Sequence, residues 1–314
     1  MPDWLIVVLI VISSLLLVGF LLFLIDGFIF FNLTFRRRIG DKDFAKNENP
    51  KEKNAPDRLW YFSNKIEELT LVSKDKLNLK GYFIKNPSNS NKLAILIHGY
   101  HGRYYSLVSQ AKIFFELGYD VLSLNNRCHD TSEGKYFTMG KKEKEDVLLW
   151  ISKMTKRNPD YKIALLGVSM GAHIAMQTAA SPKLDKRVKC IIEDCGYFSL
   201  RKELLSILYQ QHQFWPRCHV LAGEFVAKVF YHFDYHQSID KAFKNLNIPI
   251  MLIHGEDDNY VPFENLKLNA DAVPSNIYKE VHPFKGAKHT KSIEQYDLYK
   301  QIVKDFCGKF IDEN

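Results

Sequence analysis

The segment Gly167-Val168-Ser169-Met170-Gly171 constrains the fold of this chain more than any other. The apolar run Lys162-Ile163-Ala164-Leu165-Leu166 before it reads as a buried strand, and Ala172-His173-Ile174-Ala175-Met176-Gln177 after it reads as a helix. Strand, G-x-S-x-G, helix is the context of a nucleophile elbow. A strand that turns at once into a helix holds the middle residue in a strained conformation with its side chain pushed outward. The residues two positions away on either side must be small, because the two backbones crowd there. The N-terminus of the new helix aims free N–H groups at the serine, where a developing oxyanion would sit.

A serine is a weak nucleophile without a base and an orienting acid. The chain offers candidates for both, C-terminal to Ser169. The buried-strand run Ile248-Pro249-Ile250-Met251-Leu252-Ile253 leads into His254-Gly255-Glu256-Asp257-Asp258-Asn259-Tyr260-Val261-Pro262, with two adjacent carboxylates. Gly286-Ala287-Lys288-His289 opens the last helix, and His282 ends the preceding strand run. Upstream, Leu93-Ala94-Ile95-Leu96-Ile97 leads into His98-Gly99-Tyr100-His101-Gly102, a loop placed to donate a second oxyanion N–H. His173, on the helix after the serine, reads as a core histidine, and His98 and His101 as shapers of their loop. None of the eleven histidines has metal-ligand spacing such as H-E-x-x-H. The five cysteines form no C-x-x-C pair, so neither a metal nor a disulfide framework is expected.

These residues resemble the α/β-hydrolase superfamily from about Leu69 to the C-terminus. Within it the chain is similar to the bacterial membrane-anchored branch near the serine aminopeptidases and prolyl-oligopeptidase-like hydrolases. The segment Asn125-Asn126-Arg127-Cys128-His129-Asp130-Thr131-Ser132-Glu133-Gly134 resembles that branch's R-x-H-G-x-S-x-G loop, with Asp130 where glycine is usual. That loop is structural in the family. The family's acid loop, H-G-x-x-D-x-x-V-P, falls on His254 to Pro262 and selects Asp258 over Asp257. The resemblance further implies His289 as the base and the N–H groups of Met170 and Tyr100 as the oxyanion hole.

The N-terminus carries a second message. Leu5 to Ile25 is 21 residues without a charge. At about 1.5 Å per residue it spans the ~30 Å hydrocarbon core of a bilayer. Met1-Pro2-Asp3 has no basic side chain, and no small-residue cleavage site follows, so residues 1–35 read as a retained transmembrane anchor in contact with the lipid bilayer. Arg36, Arg37 and Arg38 follow at once, with Lys42 and Lys46 nearby. By the positive-inside rule this flank, and the rest of the chain, stays in the cytoplasm. Residues 36–59 read as a basic juxtamembrane linker, with eight Lys/Arg against five Asp/Glu over 36–58. The net charge of +7 is modest for 314 residues, and no nucleic-acid-binding motif accompanies it, so nucleic acid is not an expected partner.

Residues 60–314 read as one α/β domain. Strand-like runs near 69–72, 81–84, 93–97, 119–124, 162–166, 188–193, 248–253 and 277–281 alternate with helical patterns near 105–117, 140–156, 171–180, 263–272 and 291–311. This rhythm predicts a mainly parallel sheet with helices on both faces. Ser169, Asp258 and His289 all follow predicted strands, so they fall on the edge where such sheets bind ligands. From about 196 to 240 helical pattern continues without a strand and is rich in aromatics. Members of the resembling family carry a cap at this point, and Phe214, Trp215 and Phe230 are candidates to line it against an apolar acyl group. The expected function is that of a membrane-anchored serine hydrolase acting on a small-molecule carboxylic ester or thioester without a cofactor. A peptidase or amidase of the same mechanism is the alternative, with Glu203 and Glu224 as candidates to grip a free amino terminus. A catalytically silent membrane scaffold is the third reading.

Overall fold

In a computed structural model of the chain, residues 1–36, 55–233 and 235–312 are described. The basic linker expected over 36–59 lies mostly outside them, including Arg37, Arg38, Lys42 and Lys46. The described residues fall into two compact units, one made of 1–36 with 201–236 and the other of the remainder.

The larger unit is built on eight strands: β1 (Ile66–Val72), β2 (Asn78–Ile84), β3 (Lys92–Ile97), β4 (Asp120–Leu124), β5 (Lys162–Val168), β6 (Val188–Asp194), β7 (Ile250–Gly255) and β8 (Lys279–Phe284). Each coincides with an expected run to within a few residues. They form one sheet in the order β1-β2-β4-β3-β5-β6-β7-β8. The β1–β2 and β2–β4 pairs are antiparallel. All others are parallel. Leu93 to Ile97 of β3 and Ile163 to Val168 of β5 are buried at every position. Continuous apolar runs are required here because helices cover both faces of a parallel sheet.

Around the sheet lie α2 (Pro56–Ser63), α3 (Val108–Glu116), α4 (Lys141–Arg157), α5 (Met170–Ala179), α8 (Ile239–Phe243), α9 (Glu264–Ala272) and α10 (Tyr296–Cys307). On one face Phe114, Tyr119, Tyr299 and Phe306 close over Leu96, Leu166, Ile192 and Met251. On α4, the carboxylate of Glu143 accepts from the N–H groups of Thr138 and Gly140 and from the Thr138 hydroxyl, which satisfies donors at the start of the helix. Helix α2 begins inside the expected linker. Pro56 starts it and the fully buried Tyr61 anchors it, while Asp57 binds Ser109 at 2.6 Å and Lys112 at 2.7 Å on α3.

The register of the parallel strands sets up the functional edge. Ile97 of β3 pairs with Gly167 of β5, Val168 of β5 with Asp194 of β6, and Asp194 with Ile253 of β7. The residues that follow, His98, Ser169, Cys195 and the loop after Gly255, therefore emerge side by side.

The smaller unit contains α1 (Asp3–Phe35) and α7 (Pro216–Phe230), together with most of α6 (Leu200–Gln210). Helix α1 is long and apolar enough to cross a membrane. Its buried residues are Gly27, Phe30, Phe31 and Phe35, all past Asp26. There it meets α7 and the residues after it. Phe31 stacks on Tyr231 at 3.9 Å and Phe35 packs on Phe233 and Tyr235. The helices approach closely because Gly27 and Gly223 lack side chains. A Cβ on Gly27 would lie 2.4 Å from the Ala222 carbonyl oxygen, and one on Gly223 would lie 2.4 Å from the Phe30 ring.

Candidate active site

Ser169 sits between β5 and α5 with φ 57° and ψ −121°, a strained conformation for a residue with a Cβ. The need for small neighbours is visible in the distances. A Cβ on Gly167 would come within 2.1 Å of the Gly171 carbonyl oxygen, and one on Gly171 within 1.9 Å of that of Ile97. Met170 is the first residue of α5, where backbone N–H groups have no carbonyl partner earlier in the helix. The loop after β3 passes beside the serine: a Cβ on Gly99 would sit 3.2 Å from that of Ser169, which brings the backbone entering Tyr100 to the same place.

The structure brings Ser169, His289 and Asp258 into one hydrogen-bonded line. Ser169 Oγ lies 3.0 Å from His289 Nε2, and His289 Nδ1 lies 2.7 Å from Asp258 Oδ2. An ionised carboxylate only accepts, so Nδ1 carries the proton and Nε2 is left to accept from the serine hydroxyl. The side chain of Asp257, by contrast, is exposed.

Asp258 is held from four directions. Its Oδ1 accepts from the N–H groups of Tyr260 and Val261 at 2.9 and 3.0 Å. Its Oδ2 faces His254 Nε2 at 3.3 Å as well as His289. Burial alone would raise its pKa, but the hydrogen bonds from His254 and His289 outweigh it and bring the carboxyl down to about 2. His254 is fully buried, and its Nε2 lies 3.0 Å from the Val261 carbonyl oxygen as well as facing the acid. The H-G-x-x-D spacing is the signal for this contact, since a turn from Gly255 to Asp258 folds the acid back over the histidine.

The other histidines shape the frame. His98 lies with Nδ1 2.8 Å from the Gly99 carbonyl oxygen and accepts from the Asn126 N–H at Nε2. Burial pushes its pKa down to about 3, so it is neutral and ties the loop after β3 to the loop after β4. His173 stacks on Tyr197 and its Nδ1 lies 2.9 Å from that residue's carbonyl oxygen. His282 meets Glu280 at 3.0 Å. Arg127 grips Asp146 through two bonds of 2.7 and 2.8 Å and reaches Asp75 at 2.8 Å. It thereby pins the loop in which Asp130 stands at φ 40°, the conformation that explains a glycine at this place in the resembling family.

Two further residues border the site without having been singled out from the sequence. The ring of Tyr260 lies 4.9 Å from that of His289. Asp194, at the end of β6, accepts from the Tyr299 hydroxyl at 3.1 Å, and burial raises its carboxyl to about 6. Among the described residues, Cys195, Asp258 and His289 place ligand-type atoms within 4.8 Å of one another. The 2.7 Å hydrogen bond between Asp258 and His289 Nδ1 is shorter than the roughly 3.3 Å that separates two ligands of one tetrahedral zinc ion. The cluster therefore reads as hydrogen-bonded rather than metal-binding. Of the aromatics expected to line a cap, Phe230 packs on Phe28 of α1 at 4.9 Å, while Phe214 and Trp215 are 86% and 78% exposed.

Comparison with known proteins agrees with this architecture. The family model described as serine aminopeptidase, S33 matches residues 88–239. The uncharacterized protein YqkD of Bacillus subtilis is 26% identical, over 89% of this chain and 91% of its own length. The uncharacterized membrane protein YNL320W of Saccharomyces cerevisiae is 22% identical, over 76% of this chain and 78% of its own. Among solved structures, the Pyrococcus furiosus esterase Pf2001 superposes with a TM-score of 0.65 at 22% identity, covering 80% of this chain and 94% of that one. The eight-stranded sheet, the elbow after its fifth strand and these likenesses together show that the chain has the α/β-hydrolase fold.

Proposed function

We propose that this protein is a membrane-anchored serine hydrolase that cleaves small-molecule carboxylic ester or thioester bonds through an acyl-enzyme. The observation that carries the reading is the line Ser169–His289–Asp258, at 3.0 and 2.7 Å. In this mechanism Ser169 Oγ attacks the acyl carbon while His289 Nε2 takes its proton. The N–H groups of Met170 and Tyr100 receive the oxyanion of the tetrahedral intermediate. As that intermediate collapses, His289 returns the proton to the departing alkoxide or thiolate, leaving the acyl group on Ser169. Water then attacks, activated by the same imidazole, and the acid departs. Asp258 stays ionised throughout, fixes the tautomer of His289 and stabilises its charged form.

The ester reading is supported by the esterase likeness. The family-model match favours a second reading, a peptidase with the same mechanism that recognises a free amino terminus. Of the two carboxylates considered for that task, Glu224 is already engaged by Arg201 at 3.2 Å and His236 at 2.7 Å. That engagement weighs against Glu224 in this role. A fluorophosphonate should label the full-length protein and not Ser169→Ala, and a panel of acyl esters, thioesters and aminoacyl amides should be turned over in that order of preference. Hydrolysis of aminoacyl amides ahead of every ester would reverse the choice.

Helix α1 is read as the anchor, with Arg36 to Arg38 holding the hydrolase on the cytoplasmic side. A membrane-impermeant protease added to intact cells should leave residues 60–314 uncut. Cleavage there would place the substrate pool outside the cell and leave the anchor standing.

A further inference from the structure

The unit formed by α1 and α7 has an apolar surface that the hydrolytic chemistry does not use. We infer that α7 lies in the bilayer interface beside α1, with Leu221, Phe225 and Val229 buried among lipid chains, so that the protein meets the membrane through two helices. This rests on the reading of α1 as a membrane anchor.

Three observations converge. The first is the position of α7 along α1. The uncharged stretch of α1 ends at Asp26, and the residues of α1 that α7 buries, Gly27 and Phe30, come just after it. Asp26 itself meets His219 of α7 at 2.7 Å. With the uncharged stretch filling the hydrocarbon core, α7 crosses α1 where α1 leaves that core. The second is the reach of Phe225. Its ring contacts Phe23 and Phe20 at 5.8 and 6.2 Å between centroids. These residues stand three and six positions before Asp26, roughly 5 and 9 Å deeper at ~1.5 Å per residue. That is the depth to which an interfacial amphipathic helix sinks its apolar face.

The third is the pattern around α7. Cys218, Leu221, Phe225 and Val229 share an arc of about 80° on a 3.6-residue helix. Leu221, Phe225 and Val229 are 48%, 37% and 48% exposed. The arc adjoins the side that packs on α1 through Ala222 and Val226. Arg217, Glu224 and Lys228 gather on the next arc, away from α1. An exposed apolar stripe continuous with the surface of a spanning helix, with charges only beyond it, fits lipid on one side and water on the other. Phe214 and Trp215, exposed just before α7, extend the same kind of surface, and aromatic residues of this type favour the interface.

The test places nitroxide labels on the full-length protein in phosphatidylethanolamine/phosphatidylglycerol vesicles. Cys218 is the exposed native cysteine and is first changed to Ser; the other four are buried. Labels at Leu221→Cys, Phe225→Cys and Val229→Cys should collide several-fold more with oxygen than with a water-soluble nickel chelate. A label at Lys228→Cys should show the reverse, and Leu15→Cys on α1 reports the anchor. Lipid-like values at Leu15 with water-like values on the stripe would overturn this inference and leave the anchor intact. Water-like values at all of them would overturn both. Protection of the stripe from both reagents would mean a protein partner, which also overturns it. A phospholipid with a photoactivatable acyl chain, applied to the unaltered protein, should mark residues 221–229. Their absence among marked peptides that include α1 would count against the inference without any substitution.

Discussion

The two units of this protein use apolar residues in opposite ways. In the hydrolase unit, the large side chains of β3 to β7 are buried within their own sheet and helices, Leu93, Ile95, Leu165, Ile192 and Leu252 among them. In the smaller unit, α1 keeps Leu16, Leu22 and Ile25 exposed at 70%, 61% and 55%. Burying apolar surface stabilises by about 25 cal/mol per Å² only where something replaces the water. The hydrolase unit carries that second phase in itself. The smaller one buries few of its own: among the described residues of α1 only Gly27, Phe30, Phe31 and Phe35, near its end, are buried. Glycines serve both units by permitting close approach. At Gly171 the approach shapes the turn that presents Ser169, while at Gly27 and Gly223 it joins two helices.

If the units are as separable as this contrast implies, chemistry and attachment respond to different substitutions. Ser169→Ala should lower hydrolysis by on the order of 10⁴-fold or more, while sedimentation of the protein with membranes is unchanged. Joint loss of both would break the contrast. Asp258→Asn should cost on the order of 10⁴-fold in kcat, since the asparagine amide no longer holds the imidazole in its working tautomer. Asp257→Asn, on an exposed side chain, should stay within a few-fold in the same assay. A larger loss at Asp257 would mean that the acid loop works in another register.

Stability gives smaller effects that sharpen the comparison. Arg127→Met leaves Asp146 buried without its bidentate partner and should cost the hydrolase unit about 3–5 kcal/mol in denaturant unfolding, with attachment unaffected. Gly223→Leu forces a side chain into the Phe30 ring and should cost about 1–3 kcal/mol of α1–α7 packing. Cross-linking between cysteines placed on those two helices reads this out, and the unfolding midpoint of the hydrolase unit should not move. The smallest effect is a slope. Burial raises the Glu193 carboxyl to about 8, so the folded chain keeps a proton that the unfolded chain releases from about pH 4 upward. The contribution is therefore complete below about pH 4 and is lost as pH rises toward 8, at no more than ~1.4 kcal/mol per pH unit. Glu193→Gln should flatten the stability curve over that window, and an unchanged slope would assign the pH dependence to other groups.

Much of this was legible because its physics is local. A parallel strand covered on both faces must be apolar nearly throughout, so β3 to β7 stood out as runs. The elbow declared itself because its glycines, its serine and the flanking strand and helix are contiguous. The helix Pro56–Ser63 did not, since Asp57 and Arg58 read as linker until Tyr61 is seen fully buried. Nor did the second contact of Asp258. His254 stands only four residues away, but the two meet only once the Gly255–Asp258 turn closes.

The sequence by itself determined which elements form, because hydrophobic period and turn chemistry act over a few residues. It also determined that Leu5 to Ile25 is a stretch no aqueous surface would select. The tertiary structure decided which distant groups meet: Ser169 with His289, 120 residues on; Arg127 with Asp75 and Asp146; and Asp26 with His219, 193 residues on. An aromatic residue carries no address. Phe230 suited a substrate-facing cap in the sequence as well as it suits the side of α1, and only the packing of α7 at Gly27 and Gly223 gave it its neighbour Phe28.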